Sequence, residues 1–167
     1  MMLEASGLHK VYGDKLILDD ERVILEEGGK YALIGVNGCG KSTLLKMLAG
    51  EDDPVSKRQK KDTRIHLMTQ TPEFKKETVW EEMVSRNAAN RTAKMEYELQ
   101  AVLTRLELTD FSQKIENLAG GQKRRLSLAA ALISDAEILF LDEPTNHLDN
   151  DMIQWLENEL KRSSTTI

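Results

Sequence analysis

Gly35-Val36-Asn37-Gly38-Cys39-Gly40-Lys41-Ser42 is the stretch that decides the reading of this chain. It fits the pattern G-x-x-x-x-G-K-[ST], and the residues on either side fit the context that pattern requires. Ahead of it, Tyr31-Ala32-Leu33-Ile34 is apolar throughout, which predicts a strand buried on both faces. Behind it, Leu44, Leu45 and Leu48 stand at helical spacing and predict a helix over 41–49, with Gly50 placed to stop it. Strand, glycine loop and helix make half of a βαβ unit. The glycines let successive N–H groups turn inward toward phosphate oxygens, and the helix N-terminus adds partial positive charge at the same spot. Lys41 can reach the β- and γ-phosphates of a nucleotide, and the Ser42 hydroxyl is the expected Mg²⁺ ligand. Gly35, Asn37, Gly38, Cys39, Gly40 and Thr43 complete the expected lining. A bulky adduct on Cys39 should therefore block the nucleotide.

Further along, Ile138-Leu139-Phe140-Leu141 predicts a second buried parallel strand, ending in Asp142-Glu143-Pro144. Ligands gather at the C-terminal ends of strands in open α/β sheets. Asp142 at a buried strand tip can hold the water shell of Mg²⁺, and Glu143 can polarise an attacking water as general base. Short β-like runs at 3–8, 16–18, 23–25 and 64–69, a surface loop at 51–61, helical patterning over 78–108, and helices at 123–134 and about 151–161 fill in the rest. In the 78–108 stretch, Met95, Leu99, Val102, Leu103 and Leu106 share one face.

The composition agrees with one soluble domain. The chain has 167 residues, 40% hydrophobic and 31% charged, a balance that folds rather than staying disordered. Its net charge of −5 argues against holding nucleic acid by bulk electrostatics. Cys39 is the only cysteine, so an internal disulfide is excluded and a reducing compartment is expected. The sequence contains no apolar run long enough to span a bilayer and no signal-peptide pattern at its start, so it reads as cytoplasmic.

Leu118-Ala119-Gly120-Gly121-Gln122 resembles the signature of ATP-binding cassette (ABC) ATPases, and it precedes a helix and the second apolar strand as in that family. Gln70 matches the family's Q-loop, which touches Mg²⁺ and the attacking water. Tyr12 matches the aromatic that stacks on adenine. Leu141-Asp142-Glu143-Pro144-Thr145-Asn146-His147-Leu148-Asp149 resembles the ABC-F branch, whose members carry two cassettes and commonly act on ribosomes. The resemblance implies an α/β P-loop cassette over 1–167, with a mainly parallel core sheet, an N-terminal antiparallel β part and a helical subdomain at about 75–120 that bears the signature.

It also implies ATP and Mg²⁺ as cofactors, a head-to-tail second cassette as partner, and contact with ribosome or rRNA. Gly120, Gly121 and Gln122 would serve the partner's nucleotide. Transporter ATPase subunits and a non-catalytic nucleotide-dependent module are the alternatives. Two departures stand out: Ala119 occupies the place of the signature serine, and His9, His66 and His147 are the only histidines, none at the family's switch position. The expectation is an N-terminal cassette, cut short, that binds Mg-ATP but turns it over slowly alone.

The basic tracts Lys57-Arg58-Gln59-Lys60-Lys61 and Lys123-Arg124-Arg125 are expected as a solvated loop and part of the signature helix. Trp80, Trp155, Phe74 and Phe111 are expected to pack. One cysteine and scattered histidines make a zinc site improbable.

Overall fold

The computed structural model describes residues 1–52, 56–86 and 93–167. The elements run β1 (Leu3–Tyr12), β2 (Lys15–Leu25), α1 (Lys41–Ala49), β3 (Ser56–Gln59), β4 (Ile65–Met68), α2 (Val79–Arg86), α3 (Ala93–Arg105), α4 (Gly120–Leu132), β5 (Ile138–Leu141) and α5 (Asn150–Arg162). They form two compact units, one of Met1–Leu67, Ala136–Asp142 and Leu160–Ile167, the other of Met68–Asp135 and Glu143–Glu159.

In the first unit β1 pairs antiparallel with β2 on one side and with β3 on the other. The two runs expected at 16–18 and 23–25 are one strand, β2, bent by register shifts against β1. Met2, Leu3, Ala5 and Leu8 from β1 and its approach pack with Met47 and Leu48 of α1 and with Ile138 and Phe140 of β5. Alternation along β1 points Leu3 and Ala5 into this core, as period-2 geometry demands. β4 pairs with β5, and Thr166 forms a parallel bridge with Ile138.

Two sequence expectations are corrected in this unit. Tyr31–Ile34 is not a buried strand: Ala32, Leu33 and Ile34 join no strand ladder, and Ile34 is 90% exposed. Only the foot of the run is tied down, where Ile167 N–H donates to Gly29 O and Tyr31 N–H donates to Ile167 O. Periodicity reads apolar content, and burial needs a neighbour as well. The tract at 57–61 is loop only at Lys60 and Lys61, and residues 58–61 are exposed as expected, but its first residues form a strand. Ser56–Gln59 pairs with Leu3–Ser6 of β1, and Lys57 Nζ donates to Leu48 O at 2.7 Å. A flat count of charges hides a strand whose basic stems lie along the sheet. Burial pulls the Lys57 ammonium below its usual range.

The second unit is helical. Leu99, Leu103 and Leu106 are buried, the face expected from the sequence, with Met95 and Val102 partly buried beside it. Residues 87–92 of the expected helical stretch lie outside the described residues. Trp80 stacks on Phe111 with ring centres 5.8 Å apart, and Arg105 lies over the ring of Trp155. α2 opens with a reciprocal cap: Thr78 Oγ1 accepts from Glu81 N–H and Glu81 Oε2 accepts from Thr78 N–H. α4 begins at Gly120, three residues earlier than its Leu and Ala content suggests. Among the described residues no helix is long and apolar enough to cross a membrane.

Candidate nucleotide site

The phosphate loop belongs to the first unit, and its geometry is set by glycine. Gly38 has φ 76° and Gly40 has φ 104°, backbone that L side chains rarely adopt. Gly40 is the N-cap of α1, no side chain caps this helix, and its first turn holds no acid. The first N–H groups of α1 therefore present an uncompensated positive end. Lys41 Nζ curls back over the loop and donates to Gly35 O at 2.8 Å and Val36 O at 3.0 Å. A Cβ on Gly35 would lie 2.6 Å from Cys39 Sγ, so a larger residue there would push the Cys39 side chain aside. Ser42 and Thr43 are partly buried in the first turn of α1, while Asn37 and Cys39 are exposed.

Tyr12 ends β1 and is 54% exposed, with the Lys10 ammonium 5.2 Å from its ring centre. Lys10 is itself paired with Asp52 at 2.7 Å. Asp142 closes β5 in the same unit and is buried. This donor set suits a triphosphate with Mg²⁺. A bare helix N-terminus and a lysine are suited to anionic oxygens, and the Ser42 hydroxyl and Asp142 carboxylate are hard oxygens of the kind Mg²⁺ takes beside waters and phosphates.

The remaining sequence-predicted residues belong to the second unit. Gln70 is exposed in the bend that follows Met68. Glu143 carries φ 52°, a left-handed conformation costly for a residue with a side chain. Its carboxylate is held by Asn146, whose Nδ2 donates to Oε2 at 2.7 Å, and its carbonyl accepts from Asn146 N–H and Arg124 Nη2. The same left-handed backbone occurs at Asp20, Asp62, Glu107 and His147. In the signature, Gln122 Oε1 accepts from Ala119 N–H at 2.9 Å, half of a capping box whose other half an alanine cannot supply. A Cβ on Gly121 would lie 3.5 Å from His147 Cβ, an ordinary contact distance, so the His147 turn lies against the start of α4. Asp149 Oδ1 accepts from Met152 N–H at 2.8 Å and caps α5.

Sequence reasoning missed Glu82. It is 1% exposed, and its Oε2 accepts from both Lys75 and Lys76 N–H at 2.9 Å while Oε1 takes Arg86 Nε at 2.6 Å. Arg86 also donates to Glu73 O, so buried Glu82 and its more exposed partner Arg86 hold the segment that follows Gln70. The signal was present: Glu82 stands between Val79 and Met83 on the apolar face of α2, where an acid survives only with partners. The same segment borders a cavity of about 330 Å³ with Phe74, Lys76, Ile115 and Lys123 in its lining. At its edge Glu77 and Lys114 pair, the Lys114 ammonium holding the Glu77 carboxyl below its usual range and the carboxylate holding the ammonium above its own.

Residues 18–146 match the family model described as ABC transporter, a span that covers both the phosphate loop and Asp142-Glu143. The chain belongs to the ABC transporter ATP-binding family. It is an ABC-type cassette of the ABC-F type, in keeping with its relatives. It is 34% identical to the ABC transporter ATP-binding protein YfmR of Bacillus subtilis over 96% of its length and 32% of that protein. It is 34% identical to the energy-dependent translational throttle protein EttA of Escherichia coli K12 over 95% of its length and 30% of that protein. It is 38% identical to the ATP-binding protein Uup of Caulobacter vibrioides over 90% of its length and 24% of that protein. The cassette thus spans about a third or less of the curated relatives it matches. The ATP-binding subunit of an ABC transporter shares its fold at TM-score 0.81 and 24% identity, over 98% of this chain and 75% of that one.

Proposed function

We propose that this cassette binds Mg-ATP through residues 35–43, Tyr12 and Asp142. Paired with a second cassette, it hydrolyses ATP, with Glu143 as general base and Gln70 orienting water and metal. The observation that carries this reading is the uncapped, acid-free N-terminus of α1 behind two left-handed glycines, with Lys41 folded over the loop. Such a site is complementary to a polyphosphate. Gly120, Gly121 and Gln122 serve the nucleotide of the facing cassette, so the chain by itself binds but turns over slowly.

The likeness to a translational throttle protein, together with the Asn146-His147 pair, supports a cytoplasmic role on the ribosome over a transporter partnership. Titration with a fluorescent N-methylanthraniloyl (MANT) ATP tests binding, and Lys41→Ala should abolish it. Maleimide should label exposed Cys39, more slowly when Mg-ATP is bound. Equal labelling rates would remove Cys39 from the nucleotide pocket. Co-sedimentation with ribosomes that does not respond to ATP would remove the translational reading.

A further inference from the structure

We infer that the tip of the β1–β2 hairpin, through Lys15 and Ile17, positions the phosphate loop for its ligand. This rests on the nucleotide-binding reading and adds residues to it. Lys15 Nζ donates to Gly38 O at 3.3 Å. Ile17 packs so closely on the other side of the loop that a Cβ on Gly40 would collide with its Cγ2. The hairpin therefore touches the loop at two points, one at its turn and one at the cap of α1.

Nothing lies within 4 Å of where a Cβ on Gly38 would stand. The peptide unit between Gly38 and Cys39 is held by hydrogen bonds at both its carbonyl and its N–H. A peptide unit is planar and trans, with its carbonyl and the following N–H pointing opposite ways. Holding the Gly38 carbonyl toward Lys15 therefore sends the Cys39 N–H to the inner side of the loop. There it makes a long 3.3 Å bond to Val36 O, a weak contact that a phosphate oxygen can replace. Lys15 is also the ladder partner of Tyr12, so the residue proposed to stack on the base faces the residue that anchors the loop. Both Lys15 and Tyr12 are exposed.

The probe is inorganic tripolyphosphate, which has no base, competed against MANT-ATP on the whole chain. Lys15→Met keeps the stem and removes the donor. It should weaken tripolyphosphate binding about threefold to tenfold, the range for one exposed charge-assisted hydrogen bond. Lys15→Arg should restore it, and Lys94→Met, a lysine exposed on α3, should match the unaltered protein. Ile17→Ala should weaken the same probe by loosening the Gly40 side. Circular dichroism and the unfolding midpoint check that each variant is folded. Lys15→Met binding tripolyphosphate as the unaltered protein does, while Lys41→Ala does not bind, overturns the inference alone. A loss confined to MANT-ATP, with tripolyphosphate unaffected, also overturns it, because the effect would then lie at the base. Failure of the unaltered protein to bind either probe overturns the nucleotide reading, and this inference with it.

Discussion

Tyr31-Ala32-Leu33-Ile34 and Ile138-Leu139-Phe140-Leu141 are apolar runs of the same length, the second the more hydrophobic, each leading into a stretch of chemistry-bearing residues. One is a buried strand. Ile138, Leu139 and Phe140 are at most 6% exposed, with β4 as ladder partner and Thr166 bridged to Ile138. The other is tied at Gly29 and Tyr31 to Ile167 and through the Tyr31 hydroxyl to Glu26 N–H, and Leu33 and Ile34 are 46% and 90% exposed. An apolar run supplies the transfer energy for burial, of order 25 cal/mol per Å². Whether that energy is collected depends on a second strand being at hand. The contrast shows that the phosphate loop takes its bent form without a buried strand in front of it, through its glycines, its own hydrogen bonds and the contacts of Lys15 and Ile17.

The sharpest way to break this contrast is a pair of truncations followed by urea unfolding. Ile138→Ala should cost about 2–5 kcal/mol, the range for removing a buried branched side chain and leaving a cavity. Ile34→Ala should change stability by about 0.5 kcal/mol or less, as at ordinary surface positions. Equal losses would show that 31–34 is buried in solution after all.

Thr166 comes next in size. It is 1% exposed, and its Oγ1 accepts from Gly28 N–H and donates to Glu26 O. Thr166→Val keeps the shape and should cost about 1–3 kcal/mol by leaving two backbone groups without that partner. It should also speed amide exchange at Gly29 and Tyr31. A neutral substitution would mean that the joint between the two regions is held by backbone bonds alone.

Amide hydrogen exchange separates the runs without mutation. Ala32, Leu33 and Ile34 should exchange quickly, while Leu139 N–H, bonded to Thr166 O at 2.8 Å, should be protected to near the global unfolding limit. The smallest effect is expected for Leu33→Lys. It should leave the unfolding midpoint nearly unchanged yet lower concentration-dependent self-association, since a charge on an exposed apolar edge blocks strand addition. Sedimentation velocity reads that difference, and unchanged association would place the sticky surface elsewhere.

Much of the site was legible because its parts are local. Eight consecutive residues specify the loop, and α1 runs over 41–49 as its leucine spacing demands. The acid pair after the second run could be read the same way. Less legible was anything that required a partner distant in sequence. The basic tract at 57–61 reads as solvent-facing because charge dominates its composition, yet β1 recruits its first residues into a strand. Glu82 reads as one more surface acid until the backbone of Lys75 and Lys76 is seen to depend on it. Glu143 is visible as an acid in a motif, while its left-handed backbone and its hold on Asn146 are not.

The sequence by itself determined where glycine must permit a bend, where a helix starts and which residue types face a phosphate. Each is settled by sterics and hydrogen bonding over a few neighbouring residues. It took the folded chain to show which of two apolar runs is buried, and that Lys15 and Ile17 grip a loop some twenty residues further along the chain. Burial and long-range hydrogen bonds belong to pairs of segments, and a residue's own chemistry does not name its partner.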